Sequence, residues 1–168
     1  MSDTLLFQEL LTQSPCALLA DLLVKRQWQL ATAESCTGGL IASLCTELPG
    51  SSAWLERGFV TYSNAAKAEM LGVDPALIET HGAVSEEVAR AMAAGAVEHS
   101  HAHVALAVTG IAGPTGGSAS KPVGTVWFAW ATPSSLHSEV QHFPGDRSAV
   151  RNATALHSLR KLVDLLRS

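Results

Sequence analysis

The chain has 168 residues, of which 47% are apolar and 15% are charged, and its formal net charge at pH 7 is −4. This length fits one domain with a sizeable buried core, and we predict one domain over residues 1–168. A slightly acidic chain lacks the basic face that sequence-independent nucleic-acid binding requires. The apolar runs are too short to cross a bilayer, no signal-peptide pattern is present, and the three cysteines have no paired spacing. We therefore expect a cytoplasmic protein that binds neither nucleic acid nor membranes.

Hydrophobic periodicity predicts an alternation of helices and strands. Apolar residues at helical spacing predict helices at about residues 4–26 (interrupted near 14–15), 37–48, 64–71, 84–97 and 147–166. Short apolar runs predict strands at about residues 29–33, 58–62, 104–108, 123–131 and 139–143. Residues 72–82, which contain Asp74 and Pro75, predict a turn-rich connector. Early alternation followed by a late strand pair predicts an α/β fold, a three-layer α/β/α sandwich with a mixed β-sheet.

The segment 33–40 has the sequence Ala-Glu-Ser-Cys-Thr-Gly-Gly-Leu and joins a predicted strand to a predicted helix. We expect Ser35 on the connecting turn, with Thr37, Gly38 and Gly39 opening the helix. The first N–H groups of a helix lack intrahelical partners, and two glycines leave them open to a phosphate or an oxyanion. The alternative is an ordinary helix start that the Ser35 or Thr37 hydroxyl caps.

A second polar group follows the predicted strand 58–62 and contains Tyr62, Ser63, Asn64 and Lys67, with Ser63 or Asn64 as the cap of the next helix. If Asn64 caps the next helix, Lys67 lies in its first turn, where the helix dipole disfavours a positive charge. Partial burial there lowers the pKa of a lysine, so that it can act as a base. Tyr62 can donate a hydrogen bond into the same cleft. The alternative is a solvated surface lysine.

Two further groups can hold an anion. The loop 109–117 follows a buried strand, and its many glycines leave backbone N–H groups free, although it matches neither the P-loop nor the dinucleotide fingerprint. Its candidate binding residues are Thr109, Gly110, Gly113, Gly116 and Gly117. Arg147 offers a planar fork for phosphate or carboxylate, unless it pairs with Asp146 on the surface.

Two other candidate centres, a group of histidines and a cysteine, lack features that their chemistry requires. His99, His101 and His103 alternate as zinc ligands can, but they straddle a predicted helix end and strand start without an orienting carboxylate, so we expect a solvated turn and no metal site. Cys36 is a rival nucleophile beside Ser35, yet adjacent side chains leave a turn in different directions, and buried cysteines are usually inert.

Six segments of the chain, in the right order and over nearly its whole length, resemble the CinA C-terminal-domain family. They are Glu-Ser-Cys-Thr-Gly-Gly (34–39), Gly-Phe-Val-Thr-Tyr-Ser-Asn (58–64) with Lys67, His-Gly-Ala-Val-Ser (81–85), Thr-Gly-Ile-Ala-Gly-Pro-Thr-Gly-Gly (109–117), Lys-Pro-Val-Gly-Thr-Val (121–126) and Phe-Pro-Gly-Asp-Arg (143–147). The resemblance implies hydrolysis of the carboxamide of nicotinamide mononucleotide to nicotinate mononucleotide and ammonia, a step of pyridine nucleotide recycling.

The resemblance also implies residue roles. Ser35 becomes the nucleophile and Lys67 its general base, with Tyr62 and Thr109 as nearby hydrogen-bonding groups. N–H groups near Gly38 and Gly39 would hold the oxyanion, unless they hold the phosphate. The 109–117 loop and Arg147 are the candidates for the phosphate. No metal or organic cofactor is required.

Three other functions stay open at this point. The same cleft can serve a non-enzymatic nucleotide-binding or competence-related module, which would bind a ligand without releasing ammonia. The amidase can depend on Cys36, or the chain can be a scaffold protein. Trp127 and Trp130 lie on an apolar strand and belong either to the core or to an interface, and in the second case we expect a homodimer.

Overall fold

The computed structural model describes residues 3–168, with side chains described from residue 8 onward. Its helices are α1 (Asp3–Gln13), α2 (Cys16–Arg26), α3 (Leu40–Thr46), α4 (Asn64–Leu71), α5 (Pro75–His81), α6 (Glu86–Glu98) and α7 (Arg147–Arg167). Its strands are β1 (Leu30–Glu34), β2 (Leu55–Val60), β3 (Val104–Gly110), β4 (Thr125–Ala131) and β5 (Leu136–His142). A short 3₁₀ helix spans Ser51–Ala53.

The five strands form one mixed sheet in the order β2-β1-β3-β4-β5. Strand β1 pairs in parallel with both β2 and β3, whereas β3 with β4 and β4 with β5 are antiparallel pairs. The carboxyl ends of β1, β2 and β3 therefore meet at one edge of the sheet, where open α/β sheets bind their ligands. The predicted mixed sheet is confirmed.

Helices cover both faces of the sheet, and the two faces differ in side-chain size. Leucine, valine, phenylalanine and tryptophan side chains of the strands pack with α2, α3 and α7. The opposite face packs with α4, α5 and α6, and it is lined mainly by the alanines Ala31, Ala33, Ala105, Ala107, Ala129 and Ala131. Small side chains let a helix approach the sheet closely while the interior stays densely packed. The predicted three-layer sandwich is confirmed.

The predicted break at residues 14–15 is confirmed, because α1 ends at Gln13 and α2 begins at Cys16. The predicted turn-rich connector over residues 72–82 is wrong, since helix α5 occupies most of it. The Asp74 side chain accepts a hydrogen bond from the Ala76 N–H, and Pro75 stands at the first helical position. These are the residue types that begin a helix, and the buried Ile78 anchors the helix on the core.

Trp127 and Trp130 lie on β4, which is an internal strand of the sheet. Trp130 is fully buried, and its indole N–H donates to the Ser158 carbonyl at 2.9 Å. Trp127 packs against the core on the α6 face. Trp130 thus belongs to the core and Trp127 is half-buried against it, so neither gives direct support to the expected homodimer, which stays a prediction. Within residues 3–168, no helix has the length and hydropathy that a bilayer crossing requires.

Candidate active site

A cleft of about 220 Å³ lies at the carboxyl ends of β1, β2 and β3. Seven of the predicted catalytic and binding residues line it: Ser35, Tyr62, Asn64, Lys67, Thr109, Gly110 and Arg147. Cys36, Ala83, Val84 and Ala112 complete the lining. A larger groove of about 430 Å³ lies elsewhere, between α2 and the Ser51–Ala53 turn, but its lining contains no nucleophile paired with a base.

The centre of the cleft is a contact between Lys67 and Ser35. Ser35 follows the last residue of β1, and Lys67 lies in the first turns of α4, whose cap is the Ser63 side chain. Lys67 Nζ lies 3.1 Å from Ser35 Oγ, 2.9 Å from the Thr61 carbonyl oxygen and 3.5 Å from the Tyr62 carbonyl oxygen. The Lys67 side chain is only 1% exposed, which excludes the solvated surface lysine.

Burial lowers the pKa of the Lys67 ammonium, an effect that the Cys36 thiol opposes only as a thiolate. In the described part of the chain no carboxylate lies within ion-pair distance of Lys67, so no negative charge offsets the effect of burial. A neutral amine has two hydrogens and one lone pair. The Thr61 and Tyr62 carbonyls can accept the two hydrogens, which leaves the lone pair for the Ser35 hydroxyl. This geometry suits a base beside a hydroxyl nucleophile.

Cys36 lies beside the same contact but is not equipped as a nucleophile. Burial raises the pKa of its thiol to about 11, and the nearby charges of Arg151 and Lys67 offset only part of that effect. The thiol is therefore protonated near neutral pH, whereas the reactive species of a cysteine is the thiolate.

The turn after Ser35 differs from the expected open cradle. The Glu34 carboxylate is fully buried and accepts hydrogen bonds from five donors, one on β1 and four around the start of α3. These donors are the hydroxyls of Thr32 and Thr37 and the backbone N–H groups of Gly39, Ile41 and Ala42. The Gly38 N–H donates to the Ser35 carbonyl. The N–H groups of Gly38 and Gly39 are thus already bonded within the chain, and neither Ser35 nor Thr37 caps the helix.

The donors left on this turn are the backbone N–H groups of Cys36 and Thr37, which have no acceptor among the described residues. Sequence reasoning missed Glu34 because the glycines alone predict accessible N–H groups. The available signal was an acidic residue at the end of a fully buried strand, since a buried carboxylate needs several donors.

Arg147 and Tyr62 form the mouth of the cleft. Arg147 Nη1 donates to the Gly113 carbonyl at 2.9 Å, and Nη2 donates to the Tyr62 hydroxyl at 3.2 Å. Tyr62 is 60% exposed. The Asp146 side chain caps α7 by accepting from the Ala149 N–H, and within residues 8–168 it makes no ion pair with Arg147. The structure thus places a guanidinium without a carboxylate partner at the entrance.

The glycine-rich loop contributes fewer donors than expected. Gly110 lines the cleft, whereas Gly116 and Gly117 do not. A Cβ atom on Gly110 would lie 2.7 Å from the Val126 side chain, and one on Gly117 would lie 2.7 Å from the Val123 backbone nitrogen. These two glycines are therefore explained by close packing between neighbouring segments. Of the loop's other expected binding residues, Gly113 meets Arg147 through its carbonyl, and Thr109 Oγ1 donates to the Ala83 carbonyl at 2.7 Å.

No group of three or more metal-ligating side chains converges anywhere in the described part of the chain. His99 and His103 instead contact the backbone, at the Gly95 carbonyl and the Gln29 N–H.

Comparison with known proteins identifies the family of this chain. The sequence model of the CinA C-terminal domain matches residues 12–166. The chain is 56% identical over 137 residues to "Nicotinamide-nucleotide amidohydrolase PncC" of Pseudomonas putida, covering 82% of this chain and 86% of that one. It is 53% identical over 134 residues to the protein of the same name from Escherichia coli K12, covering 79% and 81%.

A solved structure agrees. The competence/damage inducible protein CihA from Agrobacterium tumefaciens superposes with a TM-score of 0.88 at 42% identity, over 95% of this chain and 96% of that one. The chain therefore belongs to the CinA C-terminal domain family.

Proposed function

We propose that this member of the CinA C-terminal domain family hydrolyses the carboxamide of nicotinamide mononucleotide to nicotinate mononucleotide and ammonia, as part of pyridine nucleotide recycling. The names of its relatives from Pseudomonas putida and Escherichia coli support the substrate. The observation that carries the proposal is the 3.1 Å contact between a buried lysine and Ser35 inside the cleft. A module that only binds nucleotides has no need of a desolvated amine beside a hydroxyl.

An amide is a poor electrophile with a poor leaving group, so its hydrolysis needs an activated nucleophile, an oxyanion site and a proton for the nitrogen. In our proposal, neutral Lys67 takes the proton of Ser35 as Oγ bonds to the carboxamide carbon. The C–N bond then breaks, and Lys67 returns that proton to the leaving nitrogen, which departs as ammonia. Water, deprotonated by Lys67, attacks the remaining ester and releases nicotinate mononucleotide. Ser35 regains its proton.

The oxyanion of each tetrahedral intermediate needs N–H donors close to Ser35. We assign this role to the N–H groups of Cys36 and Thr37, which the Glu34 contacts leave free. The N–H of the residue after a serine nucleophile serves the same purpose in α/β hydrolases. Gly38 and Gly39 then shape the turn rather than bind substrate.

The phosphate of the substrate carries negative charge and needs a cation at the mouth of the cleft. Arg147 supplies it, because its guanidinium has no carboxylate partner within the described residues and lies beside the exposed Tyr62. We therefore assign Arg147 and Tyr62 to phosphate binding, with Asn64 and Gly110 on the adjoining walls. Because the Tyr62 side chain is 60% exposed and its hydroxyl contacts Arg147, we do not assign proton transfer to it.

We propose further that the protein works in the cytoplasm and as a homodimer. Cys16, Cys36 and Cys45 are all free thiols, which fits a reducing compartment. The dimer has no support from the buried tryptophans, and sedimentation equilibrium at micromolar concentration tests it directly.

The test of the proposed function is chromatographic separation of nicotinate mononucleotide from nicotinamide mononucleotide after incubation with purified protein. We expect product from the wild type and from Cys36→Ala, and a loss of kcat by at least about a thousandfold in Ser35→Ala and Lys67→Met, as for other nucleophile–base units. Lys25→Met, which removes an exposed lysine far from the cleft, is the matched control.

No product from a folded wild type would refute the amidase and favour the nucleotide-binding module. Product from Ser35→Ala would keep the reaction but refute the nucleophile, and loss of product in Cys36→Ala alone would transfer that role to the thiol.

A further inference from the structure

The segment 81–84, which joins α5 to α6, forms one wall of the cleft through Ala83 and Val84. Its sequence belongs to one of the motifs quoted above, yet the proposed reaction gives it no role. Every one of its four backbone carbonyls accepts a hydrogen bond from a side chain. Connecting segments are usually more loosely held than this, so a wall fixed at each peptide calls for an explanation.

Lys121 holds the two ends of this segment. Its Nζ donates to the His81 carbonyl at 3.1 Å and to the Val84 carbonyl at 2.7 Å. His81 is the last residue of α5, where the helix dipole and unpaired carbonyls favour a cation. In the described part of the chain Lys121 has no carboxylate within ion-pair distance, so these carbonyls are its partners.

Two hydroxyls hold the middle of the segment. Thr109 Oγ1 donates to the Ala83 carbonyl at 2.7 Å, and Ser85 Oγ donates to the Gly82 carbonyl at 2.8 Å. Thr109 is 1% exposed and Ser85 is 5% exposed, so both bonds are shielded from water. Shielded hydrogen bonds are costly to leave unmade, which makes the segment rigid.

Fixing the carbonyls also fixes the N–H groups. A peptide bond is planar and trans, so its C=O and N–H point in opposite directions. The N–H groups of Ala83 and Val84 belong to the two peptides that Ser85 and Thr109 hold, and neither has an acceptor among the described residues. The wall of the cleft that Ala83 and Val84 form therefore carries two backbone N–H groups that are held in place and have no acceptor among the described residues.

We propose that Lys121 is a positioning residue, which locks the segment 81–84 so that the N–H groups of Ala83 and Val84 meet the bound substrate. This inference rests on the proposed function for the identity of that substrate. Lys121 follows the glycine-rich loop, whereas Lys67, the proposed base, is held by the Thr61 and Tyr62 carbonyls. Lys121 thus acts through the backbone of another loop and touches no reacting atom.

The test compares Lys121→Met and Lys121→Arg with the matched control Lys25→Met, with kcat and KM measured by the product chromatography described above. We expect kcat/KM to fall about a hundredfold in Lys121→Met, the effect of displacing a positioning group by about one ångström. Lys121→Arg should recover to within about tenfold of the wild type, because its fork can reach two carbonyls. Lys25→Met should behave as the wild type does.

A second readout follows the donors themselves. Rapid-mixing hydrogen exchange measures whether nicotinate mononucleotide protects the amides of Ala83 and Val84. We expect protection in the wild type and reduced protection in Lys121→Met. Thermal unfolding should show that Lys121→Met and Lys121→Arg are both folded at the assay temperature. A folded Lys121→Met variant with kcat/KM within twofold of the wild type would overturn the inference, and so would the absence of protection in an active wild type. A wild type that forms no product would refute the proposed function instead. Protection of these amides by nicotinamide mononucleotide would then still support the wall as a binding surface, and no protection would overturn it.

Discussion

Replacing Glu34 by glutamine tests whether the Glu34 carboxylate stabilises the start of α3 beside Ser35. The substitution keeps the size of the side chain but turns one acceptor oxygen into an NH₂ donor. In the structure, Oε1 accepts from the Ala42 N–H and the Thr32 hydroxyl, and Oε2 accepts from the Gly39 and Ile41 N–H groups and the Thr37 hydroxyl. Either orientation of the amide therefore places a donor against at least one backbone N–H, in a site with no exposure to water.

The cost follows from those contacts. With the NH₂ group at the Oε1 position, the Thr32 hydroxyl can rotate and accept, but the Ala42 N–H loses its acceptor, which costs about 1–3 kcal/mol in a buried site. The three donors at the other oxygen exchange a charged acceptor for a neutral one, at about 1 kcal/mol each. With partial relaxation, the free energy of unfolding should fall by about 4 kcal/mol, or about 10 °C in the melting temperature of a domain of this size.

The assay is thermal and urea unfolding of Glu34→Gln beside Glu47→Gln, followed by far-UV circular dichroism. Glu47 is exposed just after α3, so its substitution should change the stability by less than about 0.5 kcal/mol. A melting temperature of Glu34→Gln within about 2 °C of the wild type would refute the assignment of Glu34 to the start of α3. If Glu34 matters only for stability, kcat below the melting transition should survive, whereas a displaced Ser35 turn should lower kcat as well.

The other predictions concern charge. Burial lowers the pKa of Lys67, so kcat/KM should rise with pH as the amine deprotonates. The midpoint of this rise should lie below the ordinary lysine value of about 10.4. A flat profile between about pH 6 and 10 would contradict the role of Lys67 as the base. Arg147→Met should raise KM about tenfold or more and change kcat little, as steady-state kinetics will show. Burial alone would raise the pKa of Glu139, but hydrogen bonds from His157 and Gln141 lower it to about 2. Glu139→Gln should therefore cost about 1–3 kcal/mol at neutral pH, and this difference in urea unfolding should shrink as the pH falls from about 4.5 towards 2.

The fold was predictable because its signals are local and repeated. Strands with strict burial and helices with regular apolar spacing kept their order and type, and their ends moved by only a few residues. Helix α5 was not predicted, because the residue types of Asp74 and Pro75 begin a turn as readily as they begin a helix. What decides between the two is the burial of Ile78, which depends on α6 and the sheet and is not written in the segment itself.

The site was predictable in its residue types and less so in its contacts. Ser35 and Lys67 stand 32 positions apart, and their contact follows from two neighbouring strand ends, which the topology brings together. The hydrogen bond from Lys121 to the His81 carbonyl joins residues 40 positions apart. No pattern in the sequence around either residue predicts it. Gly110 and Gly117 suggested anion binding, but their missing side chains are explained by close packing. Both uses require the same lack of a side chain, so sequence alone does not separate them.

Glu34 and Ser35 show how one strand end serves structure and chemistry together. Successive side chains of a strand point to opposite faces of the sheet. Glu34 accordingly meets α3 on one face, and Ser35 meets Lys67 of α4 on the other. The Glu34 carboxylate accepts hydrogen bonds from the N–H groups at the start of α3 and lies at the positive end of the helix dipole. These N–H groups are therefore not available to bind a substrate. In the proposed mechanism, Lys67 therefore activates Ser35 from the opposite face, and Arg147 at the mouth is the cation that meets the phosphate. A single residue shift along β1 would exchange these faces, leaving the serine against α3 and the acid against the lysine, where an ion pair would hold the amine protonated and unable to act as a base.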